Sequence, residues 1–228
     1  MQRMTTEGFP PLMISSASSL DNFLHTALKL IFCLRLGLNN VAQTSSCRPS
    51  LSTPKPQIKG EVMDRFVVVK GDDAIALRQL GYYGEVGDRG EVVLDPVEAA
   101  YLLERDLLVV EIEGKQLSFA EFSSLIMSKD PKFWLRYLIY SDLRRRGYTV
   151  KPGFSQNHVE LRLYKRGAEA GKEGAKYLVF GVAEGIPIDL RTIIEKAREA
   201  RNLRKELIIA VIDSQGEVCY YAITLSEL

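Results

Sequence analysis

The sequence predicts a mixed α/β protein of the α+β kind, built as two consecutive units behind an irregular N-terminal segment. Three features carry this prediction. From Ile58 onward, short runs rich in Val, Ile and Tyr alternate with stretches of helical periodicity. Capping residues and stop glycines bracket those helical stretches. Before Ile58 the composition differs, with Ser, Thr and Pro concentrated at 15–20 and 44–56. Such segments bury too little apolar surface to offset the entropy of ordering.

Residues 1–57 contain one periodic stretch. Leu20, Phe23, Leu24, Ala27, Leu28, Ile31, Leu34 and Leu38 recur at helical spacing and form a single apolar stripe. Lys29 and Arg35 interrupt it, which argues against the apolar core of a secretory signal. The segment is expected to be a poorly ordered or accessory extension, of the kind produced when a start codon is placed too far upstream. A partner-docking helix is the functional alternative.

The first unit is expected over 58–130. Arg65–Val69 reads as a strand, and Asp72–Leu80 as a helix opened by an Asp cap. Glu85–Leu94 reads as a hairpin turning at Asp88-Arg89-Gly90. Asp95-Pro96 then opens a helix over Val97–Arg105, with proline at the first helical position. Leu107–Ile112 is a strand, and Ser118 with Glu121 matches a capping box for the next helix. The unit closes near Lys129-Asp130-Pro131.

The second unit is expected over 131–228. It opens with a helix over Phe133–Arg146, apolar on one side, basic at its end and stopped by Gly147. Tyr148–Lys151, Val159–Lys165 and Lys176–Val182 read as strands. Asp189 caps a helix running to Leu203. Leu207–Ile212 and Glu217–Ile223 form a hairpin around Asp213–Gly216.

Charge and composition exclude several classes. With 30 Lys/Arg against 29 Asp/Glu the chain is nearly neutral, so any nucleic-acid contact must come from a local patch. Residues 1–57 carry +3 and the remainder −2. The three cysteines, Cys33, Cys47 and Cys219, form neither a CxxC pair nor a ligand cluster, so no metal and no disulfide framework is expected. His25 and His158 are the only histidines. No run of 18 apolar residues exists, so no membrane span is expected. Lys132, Arg136, Arg144, Arg145 and Arg146 make the densest basic cluster, which by itself reads as a charged helix end.

The run Tyr137-Leu138-Ile139-Tyr140-Ser141-Asp142-Leu143-Arg144-Arg145-Arg146-Gly147-Tyr148 resembles the opening of the catalytic domain of the archaeal tRNA-splicing endonucleases, and further segments resemble other parts of that family. Leu161-Arg162-Leu163-Tyr164-Lys165-Arg166-Gly167 resembles the segment carrying its active-site tyrosine, and Lys176-Tyr177-Leu178-Val179 the strand after its active-site histidine. Arg198 to Lys205 resembles the helix end that delivers its lysine. Leu80-Gly81-Tyr82-Tyr83-Gly84 and Glu98–Arg105 resemble its N-terminal domain. The resemblance covers 58–228 and implies a restriction-endonuclease-like α/β domain with a central mixed sheet in the second unit.

The resemblance also implies a chemistry. The family cuts RNA without metal or cofactor: a ribose 2′-OH attacks the adjacent phosphate, leaving a 2′,3′-cyclic phosphate and a 5′-OH, an RNA lyase-type cleavage. Such a reaction needs a general base, a general acid and a fixed cation. Tyr164 matches the tyrosine and Lys205 the lysine. The histidine position is occupied by Gly174, which offers neither proton nor charge. Arg198 matches an RNA-contacting arginine, and Tyr220 sits where a second stacking side chain is expected; together they would sandwich a flipped base. Asp213, with Glu217, matches an acidic loop that docks into a partner subunit.

The leading expectation is therefore a structural, catalytically impaired subunit in the cytoplasm. It would act on bulge–helix–bulge sites of precursor tRNA beside a histidine-bearing subunit, in a heterotetramer or alternatively a homo-oligomer. One alternative is an active catalytic subunit using His158 or water in place of the histidine. A second is a non-enzymatic RNA-binding module. A third is a metal-dependent nuclease built on Glu160 and Lys176.

Overall fold

The computed structural model describes residues 58–153, 159–168 and 173–224. The expectations for residues 1–57 and for His158 lie outside the described residues. No described helix is long and apolar enough to cross a membrane.

Two mixed sheets form the body. The first has the order β3-β4-β2-β1-β5-β6, from β1 (Ile58–Met63), β2 (Phe66–Val69), β3 (Glu85–Val86), β4 (Val92–Leu94), β5 (Leu108–Ile112) and β6 (Lys115–Leu117). Only β1 and β5 run parallel, with Ile58 opposite Leu108. The second has the order β11-β10-β9-β8-β7, from β7 (Val150–Pro152), β8 (Val159–Leu163), β9 (Tyr177–Ala183), β10 (Glu206–Ile212) and β11 (Val218–Ile223). Here β9 and β10 are the parallel pair. Five helices accompany the sheets among the described residues: α1 (Asp72–Gly81), α2 (Pro96–Glu104), α3 (Phe119–Lys129), α4 (Phe133–Arg145) and α5 (Leu190–Asn202).

Local chemistry explains most boundaries. Asp95 accepts from Val97 N while Glu98 reaches back to the Asp95 N–H, so the α2 start is a full capping box with proline at its first turn. Ser118 and Glu121 do the same for α3, and Asp189 accepts from Arg191 N at α5. The expected Asp cap of α1 is not there. Gly71 is the cap residue and no side chain caps it; Asp72 lies inside the first turn, and Asp73 instead accepts from Lys59 N at 3.0 Å. Acidic residues in that first turn still complement the helix dipole.

The sequence pattern overlooked β1 and β6. Gly60 weakens the strand signal of β1, yet a Cβ there would stand 2.5 Å from Val67 Cγ1, so the close pairing with β2 requires glycine. The three residues of β6 are largely polar and occupy a sheet edge.

One apolar core runs through both halves. Val67, Leu94, Leu102 and Phe122 from the first half join Phe133, Tyr140, Leu161, Val179 and Ala210 from the second. The shared element is α4, which packs on α2 and α3 and against the five-stranded sheet. A second core lies on the opposite face of that sheet, where Leu178, Phe180, Leu207 and Ile209 meet Ala197 and Ala200 of α5.

Buried polar ties reinforce the joint. Lys151, 4% exposed, donates to Gly84 O at 2.6 Å and pairs with Glu98, 1% exposed, at 3.3 Å. Glu98 also accepts from Gly84 N at 3.1 Å. The Arg144 guanidinium stacks over the Tyr83 ring, 4.2 Å from its centroid, and donates to Gly81 O. The expected basic cluster on α4 is thus dispersed. Arg136 is bound to Asp130 at 2.9 Å, Arg144 is a packing residue, and Arg146 pairs with Asp142 at 2.8 Å.

Candidate functional site

The sheet register brings the candidate residues to one end of the second sheet. Leu163 of β8, Tyr177 of β9 and Glu206 of β10 are aligned across three neighbouring strands. Tyr164 follows Leu163, and Lys205 precedes Glu206, so both sit just beyond the same rim. Two strand spacings separate their backbones, roughly 9–10 Å.

Alternation puts both on the same face. Leu161 and Leu163 point into the core under α4, whereas Glu160 points the other way and binds Lys196 of α5. Tyr164 continues the Glu160 side. Leu207 and Ile209 also point toward α5, and Lys205 continues that series.

Each residue is held by its own local device. Tyr164 N–H donates to Thr149 O at 3.0 Å, which extends the β7–β8 ladder by one step. Its side chain is 7% exposed and packs with Ala168 and Ala175. Lys205 is placed by the end of α5. Lys205 N–H reaches Ala200 O at 2.8 Å and Arg204 N–H reaches Arg201 O at 2.9 Å, with Arg204 in the left-handed region at φ 54°. This is a Schellman ending, which turns the chain sharply from helix into β10. Lys205 Nζ lies 3.4 Å from Leu203 O, and no carboxylate is paired with it among the described residues.

Gly174 lies beside this constellation. It is exposed, and its neighbour Ala175 packs on Tyr164. A Cβ added at Gly174 meets no atom within 4 Å, and its backbone is outside the left-handed region. The first atom of a side chain there would therefore meet open space.

The other sequence candidates are placed apart. Arg198 is exposed on α5. Tyr220 lies on the opposite sheet face, packed against the core under α4 and donating to Asp142 Oδ2 at 2.7 Å. Burial and the acceptor Asp142 push its phenol well above the usual tyrosine pKa. One chain therefore does not close Arg198 and Tyr220 on a single base. Asp213 organises its own turn: its Oδ1 accepts from Gln215 N at 2.8 Å and Glu217 N at 2.9 Å. Glu160 and Lys176 do not converge. Glu160 binds Lys196, and Lys176 pairs with Glu206 at 3.0 Å. Among the described residues no group of three His, Cys, Asp or Glu could hold a metal ion.

Two cations on these elements carry no local signal in the sequence. Arg166, two residues beyond Tyr164, stacks over the Tyr148 ring at 4.8 Å. Lys196 neutralises the buried Glu160 beneath α5. Both depend on contacts between distant segments, which no local pattern marks.

Comparison with known proteins adds to the geometry. A model described as the tRNA intron endonuclease N-terminal domain matches residues 58–123. One described as the tRNA intron endonuclease catalytic C-terminal domain matches 133–220. A tRNA-splicing endonuclease of Methanosarcina mazei is 38% identical over 170 residues, covering 74% of this chain and 45% of that protein. One from Methanococcus vannielii is 37% identical over 172 residues, covering 75% of this chain and 96% of that protein. One from Thermococcus onnurineus is 39% identical over 142 residues, 62% of this chain and 80% of that protein. The chain thus matches less than half of the Methanosarcina protein and nearly all of the Methanococcus one.

Proposed function

The chain belongs to the tRNA intron endonuclease family, and from that premise we propose that it is a catalytically impaired subunit of an enzyme excising introns from precursor tRNA. The observation that carries the reading is a site with two of its three expected groups. Tyr164 and Lys205 share one rim of the sheet, and Gly174 stands where the family places histidine.

In the complete reaction the 2′-oxygen forms a bond to phosphorus, and the bond from phosphorus to the 5′-oxygen breaks. The 2′-OH proton passes to a base, and an acid protonates the departing 5′-oxygen. Tyr164 is suited to one of these transfers, and the Lys205 cation to the charge on the phosphorane. Without the histidine, the second transfer falls to water. The chain then acts beside a histidine-bearing subunit, with Asp213 and Glu217 in the loop that docks the two. Arg198 is an RNA contact on the α5 face, and Tyr220 contributes from the other face, each toward a different part of the assembly.

Gly174→His tests this directly. On a bulge–helix–bulge RNA, the variant should cleave about 10²- to 10⁴-fold faster than the parent chain, the range of one general acid or base. The gain should vanish in a Tyr164→Phe background, because the two groups act as a unit. Equal rates for parent and Gly174→His would sink the proposal that this one position limits the site.

A further inference from the structure

The outer face of α1 has no role in the core. Ala74 and Leu77 are its buried residues, while Ile75, Arg78 and Gln79 share another side of the helix and are exposed, as is Tyr82 just past the helix end. Ile75 is 60% exposed and Tyr82 38%. This face forms one wall of a groove of about 600 Å³ that runs to Tyr164. Val86 of β3, 52% exposed, lines it from beside the helix.

We propose that this groove binds unpaired RNA nucleotides beside the cut, with Tyr82 stacking a base and Arg78 holding a phosphate. The inference rests on reading Tyr164 as the tyrosine at the cleavage site. Strands of RNA are held without sequence preference by a cation beside an exposed aromatic ring. The groove offers both, plus Gln79 for a base edge and Ile75 with Val86 for the faces of ribose and base. Its acidic residue is already answered: Glu85 pairs with Arg162 at 3.4 Å. Arg78 lines the groove, is exposed, and is in no ion pair among the described residues. Continuity with Tyr164 decides the occupant, because nucleotides leaving that residue on this side enter the groove. Tyr82 is presented by its backbone, which is left-handed at φ 59° where α1 ends.

The test is fluorescence anisotropy of a labelled bulge–helix–bulge RNA with the full chain and two variants. Tyr82→Asn keeps a residue that tolerates the left-handed conformation and removes the ring. It should weaken binding roughly 5- to 150-fold, the effect of losing one base stack. Arg78→Gln should lower the slope of log affinity against log salt by about one. A 4-thiouridine among the unpaired nucleotides beside the cut should crosslink to the peptide containing α1. The groove belongs to one chain, so the chain alone must bind. No RNA binding by the parent overturns both the groove and the reading beneath it. Binding within twofold of the parent in both variants overturns the groove alone. Normal RNA binding with loss of assembly mass would assign this face to a protein partner instead.

Discussion

At the scale of the residue, Asp95 shows how a cap can carry a cost. Its carboxylate accepts from Val97 N at 3.0 Å, but burial and then the neighbouring Glu98 push its pKa up to about 6. The hydrogen bond from Val97 and the charges of Arg136 and Arg65 only partly oppose this. A folded pKa above the unfolded value means that stability is fully present below about 4 and is lost as pH rises through about 6. The loss is on the order of 1–3 kcal/mol. Asp95→Asn keeps the acceptor and removes the charge. In urea titrations it should equal or exceed the parent at pH near 8, with the difference shrinking toward pH 4. A parent more stable by over about 1 kcal/mol at pH 8 would show that the charged cap outweighs its burial. The candidate site was legible at this scale for one reason. Tyr164, Gly174 and Lys205 lie in the contiguous segments that carry the family resemblance, whereas the contacts of Tyr220 and the turn held by Asp213 depend on partners that sequence does not display.

At the scale of the element, three helices end in the same way with different residues. Gly147, Asp106 and Arg204 all take left-handed backbones after α4, α2 and α5, at φ 83°, 56° and 54°. Only the first was legible, because glycine adopts that conformation freely and marks it. At Arg204 a side chain bears roughly 1–2 kcal/mol of strain, which the two hydrogen bonds of this helix ending oppose. Arg204→Gly should melt at or above the parent temperature. Arg204→Val, branched at Cβ, should melt lower and lose the activity gained by Gly174→His, since Lys205 would shift. Equal melting of the two variants would show that this turn does not need its left-handed residue. Strands β8 to β11 were readable because branched residues fill them; β1 and β6 were not, since Gly60 and a short polar edge suppress the signal.

At the scale of the whole molecule, the two sheets share one core through α4, and Lys151 bridges to Glu98 and Gly84 across the halves. A buried pair of this kind fixes register more than it adds stability, and removing one partner strands the other charge. The fold class was legible from alternating strands and capped helices, but this joint was not, because residues 53 positions apart make it. Assembly is the next layer. Asp213→Asn with Glu217→Gln removes two charges and keeps the Asp213 acceptor of the turn, so the hairpin should persist. Sedimentation should then show smaller species, and an unchanged mass would contradict docking through this loop. The central claim is that this chain supplies Tyr164 and Lys205 but depends on another subunit for the missing proton transfer. Single-turnover cleavage of a bulge–helix–bulge RNA, by the chain alone and mixed with a histidine-bearing subunit of the same family, tests it most directly. Slow cleavage is expected from the chain alone and fast cleavage from the mixture, with 2′,3′-cyclic phosphate ends; fast cleavage by the unmodified chain alone would contradict this dependence.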